Sequence, residues 1–267
     1  MDVEHEFEAL RRESSSWWYV ARRKLLCEAV ARAVSGRREA RVLDLGCAAQ
    51  PACADDPLFR VLNAHQSLPV LAARQLEGTR NLVCTSMEDL ALTSNSFDAA
   101  IAGDVVQSAS DDVVVLRELR RVLKDGGWLC LTVPAYPFLW GEEDEVRGHR
   151  RRYTASELRR KLNNSGFEIS RISYFVACGF LPSVVQRISR NLFSKSIVRR
   201  TRTTPEWANR AMISALDAER QLIRFLNLPF GTRLICWARK PTLVAERVVV
   251  PAWERQWARG PLPQGMS

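Results

Sequence analysis

The sequence predicts an α/β fold, a mostly parallel sheet with helices on both faces. Three observations predict it. Short apolar runs alternate with stretches of helical periodicity along most of the chain. The first of these runs, in Ala40–Ala54 (ARVLDLGCAAQPACA), ends in an acid, Asp44, and then a single glycine, Gly46, where a strand would turn into a loop. Asp125-Gly126-Gly127 sits between a periodic stretch and the next apolar run, where a helix would stop and turn into a strand.

Taken in order, residues 5–34 read as one or two helices. Trp17, Trp18, Leu25, Leu26, Ala29, Val30 and Ala33 recur near helical spacing, and Ser14–Ser16 are candidate N-caps. The Trp-Trp pair would dock this helix on the sheet or lid a pocket. Strands are expected at Ala40–Cys47, Leu58–Ala64, Asn81–Ser86, Phe97–Gly103, Gly127–Pro134, Phe167–Phe175 and Arg233–Ala238. Helices are expected at Ser67–Leu76, Asp111–Leu123 and Thr154–Asn164. Ser110-Asp111-Asp112 puts negative charge at a helix N-terminus, where the macrodipole favours it.

Composition sets bounds on function. A chain of 267 residues, 46% hydrophobic and 26% charged, fits one elaborated α/β domain. Seven cysteines without CxxC or a Cys/His metal spacing read as reduced core thiols, so no metal is expected. The charged N-terminal residues do not read as a signal peptide, and no apolar run approaches the ~18 residues of a membrane span, so a cytoplasmic location is expected. The net charge of +9 predicts attraction to an anionic partner or an arginine-rich solvated surface.

The order RVLDLGC, MEDLALTSNSFDAAIAGDVV, LRELRRVLKDGGWLCLTVPAY, with GHRRRYTASELRRKLNNSGFEI and LPFGTRLICWARKP following, resembles the class I S-adenosylmethionine-dependent methyltransferases, in one bacterial branch. The resemblance covers residues 5–241. It implies a Rossmann-like, seven-stranded sheet with the last strand antiparallel. S-adenosylmethionine would be the cofactor, held at the carboxyl ends of the first strands. Residues 1–241 would form the domain, with a helical insert at 179–229, and 242–267 an extension whose Pro/Gly-rich end frays.

Matched residue by residue, the cofactor positions are Asp44, Gly46, Asn63, Ser86 and Asp104. Several depart from the family. In the glycine-rich turn Gly46 is kept, while Ala48 and Gln50 replace the other two glycines. Pro51 and Pro57 shorten the crossover that should hold a helix. Asn63 stands where an acid takes both ribose hydroxyls, and Ser86 where an acid meets the adenine amino group. Gln107-Ser108 replaces the common Glu-His, and Asp104 is retained. An eroded cofactor motif follows, and with it a scaffold, regulatory or partner-binding protein. The alternative is an active methyltransferase acting on a small molecule or a lipid-linked substrate.

The catalytic candidates are His149 and Tyr153, in a loop over the substrate side. His149 could act as a general base; the same HRRRY run could instead anchor the loop on Glu142, Glu143 and Asp144, with Tyr153 packed at a helix start. In the insert, Leu181, Val184, Val185, Ile188 and Leu192 form one apolar stripe flanked by Arg187, Arg190, Lys195, Arg199 and Arg200. Such a helix suits an anionic membrane surface through residues 180–200, a cover over the sheet, or a protein partner or homo-oligomer contact. A peripheral place on the inner membrane face is therefore also expected. Nucleic acid fits poorly, because aromatics are not interleaved with the basic residues. A second helix is expected at Pro205–Leu226, with Trp207, Ala211, Ile213, Leu216, Leu222 and Phe225 on its inner side.

Overall fold

The computed structural model describes residues 15–46, 52–53, 59–67, 70–71, 75, 78–192 and 205–242. Seven strands form one sheet: β1 (Ala40–Leu45), β2 (Phe59–His65), β3 (Leu82–Cys84), β4 (Phe97–Gly103), β5 (Leu123–Pro134), β6 (Glu168–Phe175) and β7 (Arg233–Arg239). Their spatial order is β3-β2-β1-β4-β5-β7-β6. Pairings from β3 to β5 are parallel, and β7 runs antiparallel between β5 and β6. This is the Rossmann-like methyltransferase topology that the resemblance implied.

The central strands are apolar because both sheet faces are covered. In β4 every residue is buried, including Asp98, which is held by Arg37, Lys124 and the Arg41 N–H. Helix α1 (Trp17–Ala33) lies on one face, burying Trp18, Ala21, Leu25, Leu26, Ala29 and Val30. Ser16 occupies its N-cap position but makes no side-chain cap bond; Asn209 accepts the Trp17 N–H at 2.7 Å. The tryptophan pair therefore docks a helix, and the residues that reach the pocket from α1 are Tyr19 and Arg22.

Helix α2 (Asp112–Val122) is capped by Asp111, whose carboxylate accepts the Val113 and Val114 N–H groups. The chain passes from Val122 straight into β5, so Asp125-Gly126-Gly127 is a bulge inside that strand, not a turn before it. The β4–β5 register jumps there, from Phe97 opposite Leu123 to Ala99 opposite Trp128. A short helix α3 (Glu142–Val146), absent from the sequence reading, lies after β5, and α4 (Ala155–Asn164) follows with Thr154 as its cap.

The insert before β7 contains α5 (Phe180–Leu192) and α6 (Glu206–Ile223). Helix α6 docks on α1 through Lys24–Asp217 and Arg220–Glu28. Its buried residues are Leu216 and Ile223, whereas Trp207, Leu222 and Phe225 face outward, against the inner face read from sequence. Leu216 and Ile223 join a cluster with Trp18, Ala21 and Leu25 of α1, and the polar Asn209, Asp217 and Arg220 add bonds to α1 that apolar periodicity does not register. Among the described residues, no helix is long and apolar enough to cross a membrane. Of the helix expected at Ser67–Leu76, Val70, Leu71 and Gln75 are described and helical. The extension beyond Thr242 lies outside the described residues.

Candidate active site at the strand ends

A cavity of about 540 Å³ opens where the strand order reverses, at the carboxyl ends of β1, β2 and β4. Its size suits a small molecule. Leu45 and Gly46 form its floor with Gly103, Asp104 and Val105. Gly46 has φ +83°, its N–H donates to the Ala64 carbonyl at 2.9 Å, and a Cβ there would stand 2.9 Å from Val105 Cβ. Only glycine fits that turn without strain.

Asp44 lies beneath the turn, 4% exposed, and its Oδ2 accepts the Ala52 N–H at 2.6 Å. Burial raises its pKa to about 6, against the pull of the Ala52 bond and the Arg22 charge. The native state therefore binds a proton that the unfolded chain has already released between about pH 4 and 6. The resulting stability is full at acid pH and lost as pH rises through about 6. Asp44→Asn should flatten that fall, worth ~3 kcal/mol between pH 4 and 7.5, in urea melts followed by circular dichroism. An unchanged pH slope would show that the carboxyl is ionised throughout.

Asp104 follows β4 with φ 51°, a left-handed conformation uncommon outside glycine. Its backbone N–H bonds Thr132, and its Oδ2 accepts the Trp18 indole N–H at 3.0 Å. Arg22 and Arg233 approach Oδ2 at 3.5 Å each. Burial acts to raise its pKa, but Arg233, Arg22 and His149 outweigh it and hold the carboxyl below its ordinary value. Among the described residues, its buried Oδ1 and the Arg233 Nε have no hydrogen-bond partner.

His149 lines the pocket wall, as the sequence suggested. Its Nδ1 lies 2.9 Å from Asp144 Oδ1, and Arg152 grips the same carboxylate. Burial opposes ionisation of Asp144, but His149 and Arg152 prevail and set its pKa at about 2. The Asp144 carboxylate is therefore an acceptor, and His149 Nδ1 carries the proton. Nε2 meets the Gln107 amide nitrogen at 3.3 Å, and the buried Gln107 Oε1 has no partner among the described residues. Turned round, that amide would accept from a doubly protonated imidazole, so Gln107 serves either charge state.

Tyr153, the other catalytic candidate, is fully buried and away from the cavity. Its hydroxyl donates to Asp112 at 2.8 Å, and Lys161 and Arg151 bind the same carboxylate. Asn63 is also turned away: its Nδ2 donates to the Arg80 carbonyl, and its buried Oδ1 has no partner among the described residues. The residues presented to the pocket at the end of β2 are His65 and Gln66. Ser86 caps a turn by accepting the Glu88 N–H, while its neighbours Thr85 and Met87 line the cavity. Ala48, Gln50, Pro51 and Pro57, on which the shortened-crossover expectation rests, lie outside the described residues.

Sequence reading missed Arg22 and Arg233 as pocket residues, and Asp144 as the partner that orients His149. Because β7 is antiparallel, its first residue, Arg233, arrives at the end where β4 finishes, opposite Pro134 of β5. The antiparallel final strand was the available signal.

Residues 43–131, running from β1 into β5, match the family model described as a methyltransferase domain. No curated protein matches the chain. Similar solved structures include the [4+2]-cyclase SpnF, at 24% identity and TM-score 0.53 over 81% of this chain and 80% of that one. An S-adenosylmethionine-dependent methyltransferase from Mesorhizobium loti matches at 18% identity and TM-score 0.52, covering 79% of this chain and 96% of that one. Phosphoethanolamine N-methyltransferase 2 of Haemonchus contortus, solved with S-adenosyl-L-methionine, matches at 16% and TM-score 0.52; the alignment covers 80% of this chain and 52% of that one. At these identities the likeness is one of fold. The sheet order is that of the Rossmann-like methyltransferase fold, and the segment from β1 into β5 is what resembles a methyltransferase domain.

Proposed function

We propose that this chain is a methyltransferase-like protein whose strand-end pocket binds an anionic ligand and does not hold S-adenosylmethionine in the ordinary way. Its role would be regulatory, scaffolding or partner-binding. The observation that carries this reading is the charge of the pocket wall. Arg22, Arg147, Arg150 and Arg233 line it, and among the described residues the one carboxylate in that lining is Asp104, shared by Arg22 and Arg233, while Glu143, outside the lining, pairs with Arg147.

S-adenosylmethionine is the cofactor the fold implies, and the residues present do not fit it. A ribose diol is best held by an acid at the end of β2, but His65 and Gln66 stand there and Asn63 is committed to a backbone carbonyl. The cofactor's sulfonium and ammonium groups would also meet a positive wall. That such a fold serves chemistry other than methyl transfer is consistent with the neighbouring [4+2]-cyclase.

A second reading, an active methyltransferase on a small or lipid-linked substrate, is favoured by His149, held by Asp144 as a base is held by its orienting carboxylate. Calorimetric titration separates the two. With S-adenosylmethionine or S-adenosylhomocysteine, no saturable heat is expected; micromolar binding of either would overturn the first reading and support the second.

A further inference from the structure

We propose that helix α5 is an interfacial element that seats the protein on an anionic membrane surface, with the pocket beside the bilayer. Leu181, Val185 and Ile188, at i, i+4 and i+7, share one face of α5 and are 68%, 62% and 53% exposed. The stripe is thus not a cover over the sheet, which was one use the sequence allowed. It continues into an aromatic cluster: the Phe180 ring lies 5.2 Å from Tyr136 and 5.6 Å from Phe230, and Tyr136 lies 5.3 Å from Phe138. Phe138 and Phe230 are themselves exposed. Exposed aromatics beside an aliphatic stripe suit the boundary between headgroups and acyl chains.

Charge selects the occupant. From Val176 to Pro205 the sequence contains no Asp or Glu, while Arg187, Arg190, Lys195, Arg199, Arg200 and Arg202 fall within it. A stretch of one sign that overlaps and follows the apolar face in sequence matches anionic lipid. A second copy docking by two-fold symmetry would bring two such basic stretches together and repel. Position adds to the case. Helix α5 leaves the sheet after Phe175, which pairs with Arg233 of the pocket wall, and Phe230 precedes that arginine by three residues. The apolar face and the pocket therefore share one end of the sheet. The inference stands whether or not the pocket holds a cofactor.

The test is co-sedimentation of the full chain with phosphatidylglycerol–phosphatidylcholine vesicles and with phosphatidylcholine alone. Binding is expected on the anionic vesicles only, weakening as salt rises. Arg187→Glu with Arg190→Glu should lower it at least about tenfold, since each basic residue near the surface is worth about fivefold in partition. Leu181→Ser with Val185→Ser should lower it too, with the thermal midpoint unchanged because both side chains are exposed. Absence of vesicle binding overturns the proposal, as does binding that survives both double substitutions. A concentration-dependent dimer in light scattering, lost with Leu181→Ser and Val185→Ser and unaccompanied by vesicle binding, assigns the stripe to a second copy and overturns it as well.

Discussion

Asp112→Ala is expected to destabilise the fold by about 3–5 kcal/mol, the usual cost of breaking a buried ion pair from one side. Asp112 is the first residue of α2, so its charge also favours the helix N-terminus. Its carboxylate takes the Tyr153 hydroxyl at 2.8 Å, Lys161 at 2.5 Å and Arg151 at 3.1 Å. Burial acts to raise its pKa, but Lys161, Tyr153 and Arg151 hold the carboxyl below its ordinary value. Removing the acid strands a phenol with no access to water and a lysine left with Glu157 at 3.5 Å. Tyr153→Phe, which leaves Asp112 its two cations, should cost only about 1 kcal/mol. Urea melts of the two variants check the ratio. If Tyr153→Phe proved as costly as Asp112→Ala, the cations would not be what holds this carboxylate.

That contrast explains why His149–Tyr153 is legible as a motif and ambiguous as chemistry. The run works largely as a clasp. Arg151 donates to the Ala109 and Ser110 carbonyls, Arg152 binds Asp144 and the Ala135 carbonyl, and Tyr153 closes on Asp112. Of the five residues, His149 and Arg150 reach the pocket. The sequence shows a dense basic run but not which members turn inward, because that depends on contacts with loops tens of residues away.

The sheet was readable because parallel strands buried on both faces must be apolar throughout, a local property. The strand-end positions of Asp44, Gly46 and Asp104 were readable for the same reason, since they end such runs. Asn63, expected at the cofactor, bonds the Arg80 carbonyl, and at the end of β2 it is His65 that faces the cavity. In a strand, Asn63 and His65 share a side, and only the strand's final register decides which one clears the sheet edge. Helix α6 was misjudged for another reason. Only Leu216 and Ile223 bury apolar surface against α1, and the rest of the docking runs through Asn209, Asp217 and Arg220, contacts to which hydrophobic periodicity is blind.

Asp104→Asn distinguishes an anion pocket from a cofactor pocket by the sign of its effect. Asparagine tolerates the left-handed φ of 51° at this position and can still accept the Trp18 indole N–H, so the turn should persist. The substitution leaves Arg22 and Arg233 without their shared counter-ion, at a cost of ~3 kcal/mol in stability. The same change frees two guanidinium groups on the pocket wall. At several ångströms and intermediate dielectric, one unit of negative charge removed is worth ~1–2 kcal/mol to an incoming anion, or about tenfold in affinity. Pyrophosphate, titrated calorimetrically or read as a ligand-induced rise in melting temperature, should therefore bind the variant about tenfold more tightly than the parent. A ligand with a sulfonium and an ammonium group would respond in the opposite direction, because it loses the one carboxylate that faces it among the described residues. Tighter pyrophosphate binding with no response to S-adenosylmethionine places an anion against Arg22 and Arg233. Weaker pyrophosphate binding in the variant would mean that the positive wall does not recognise the ligand, and the anionic-pocket reading would fail.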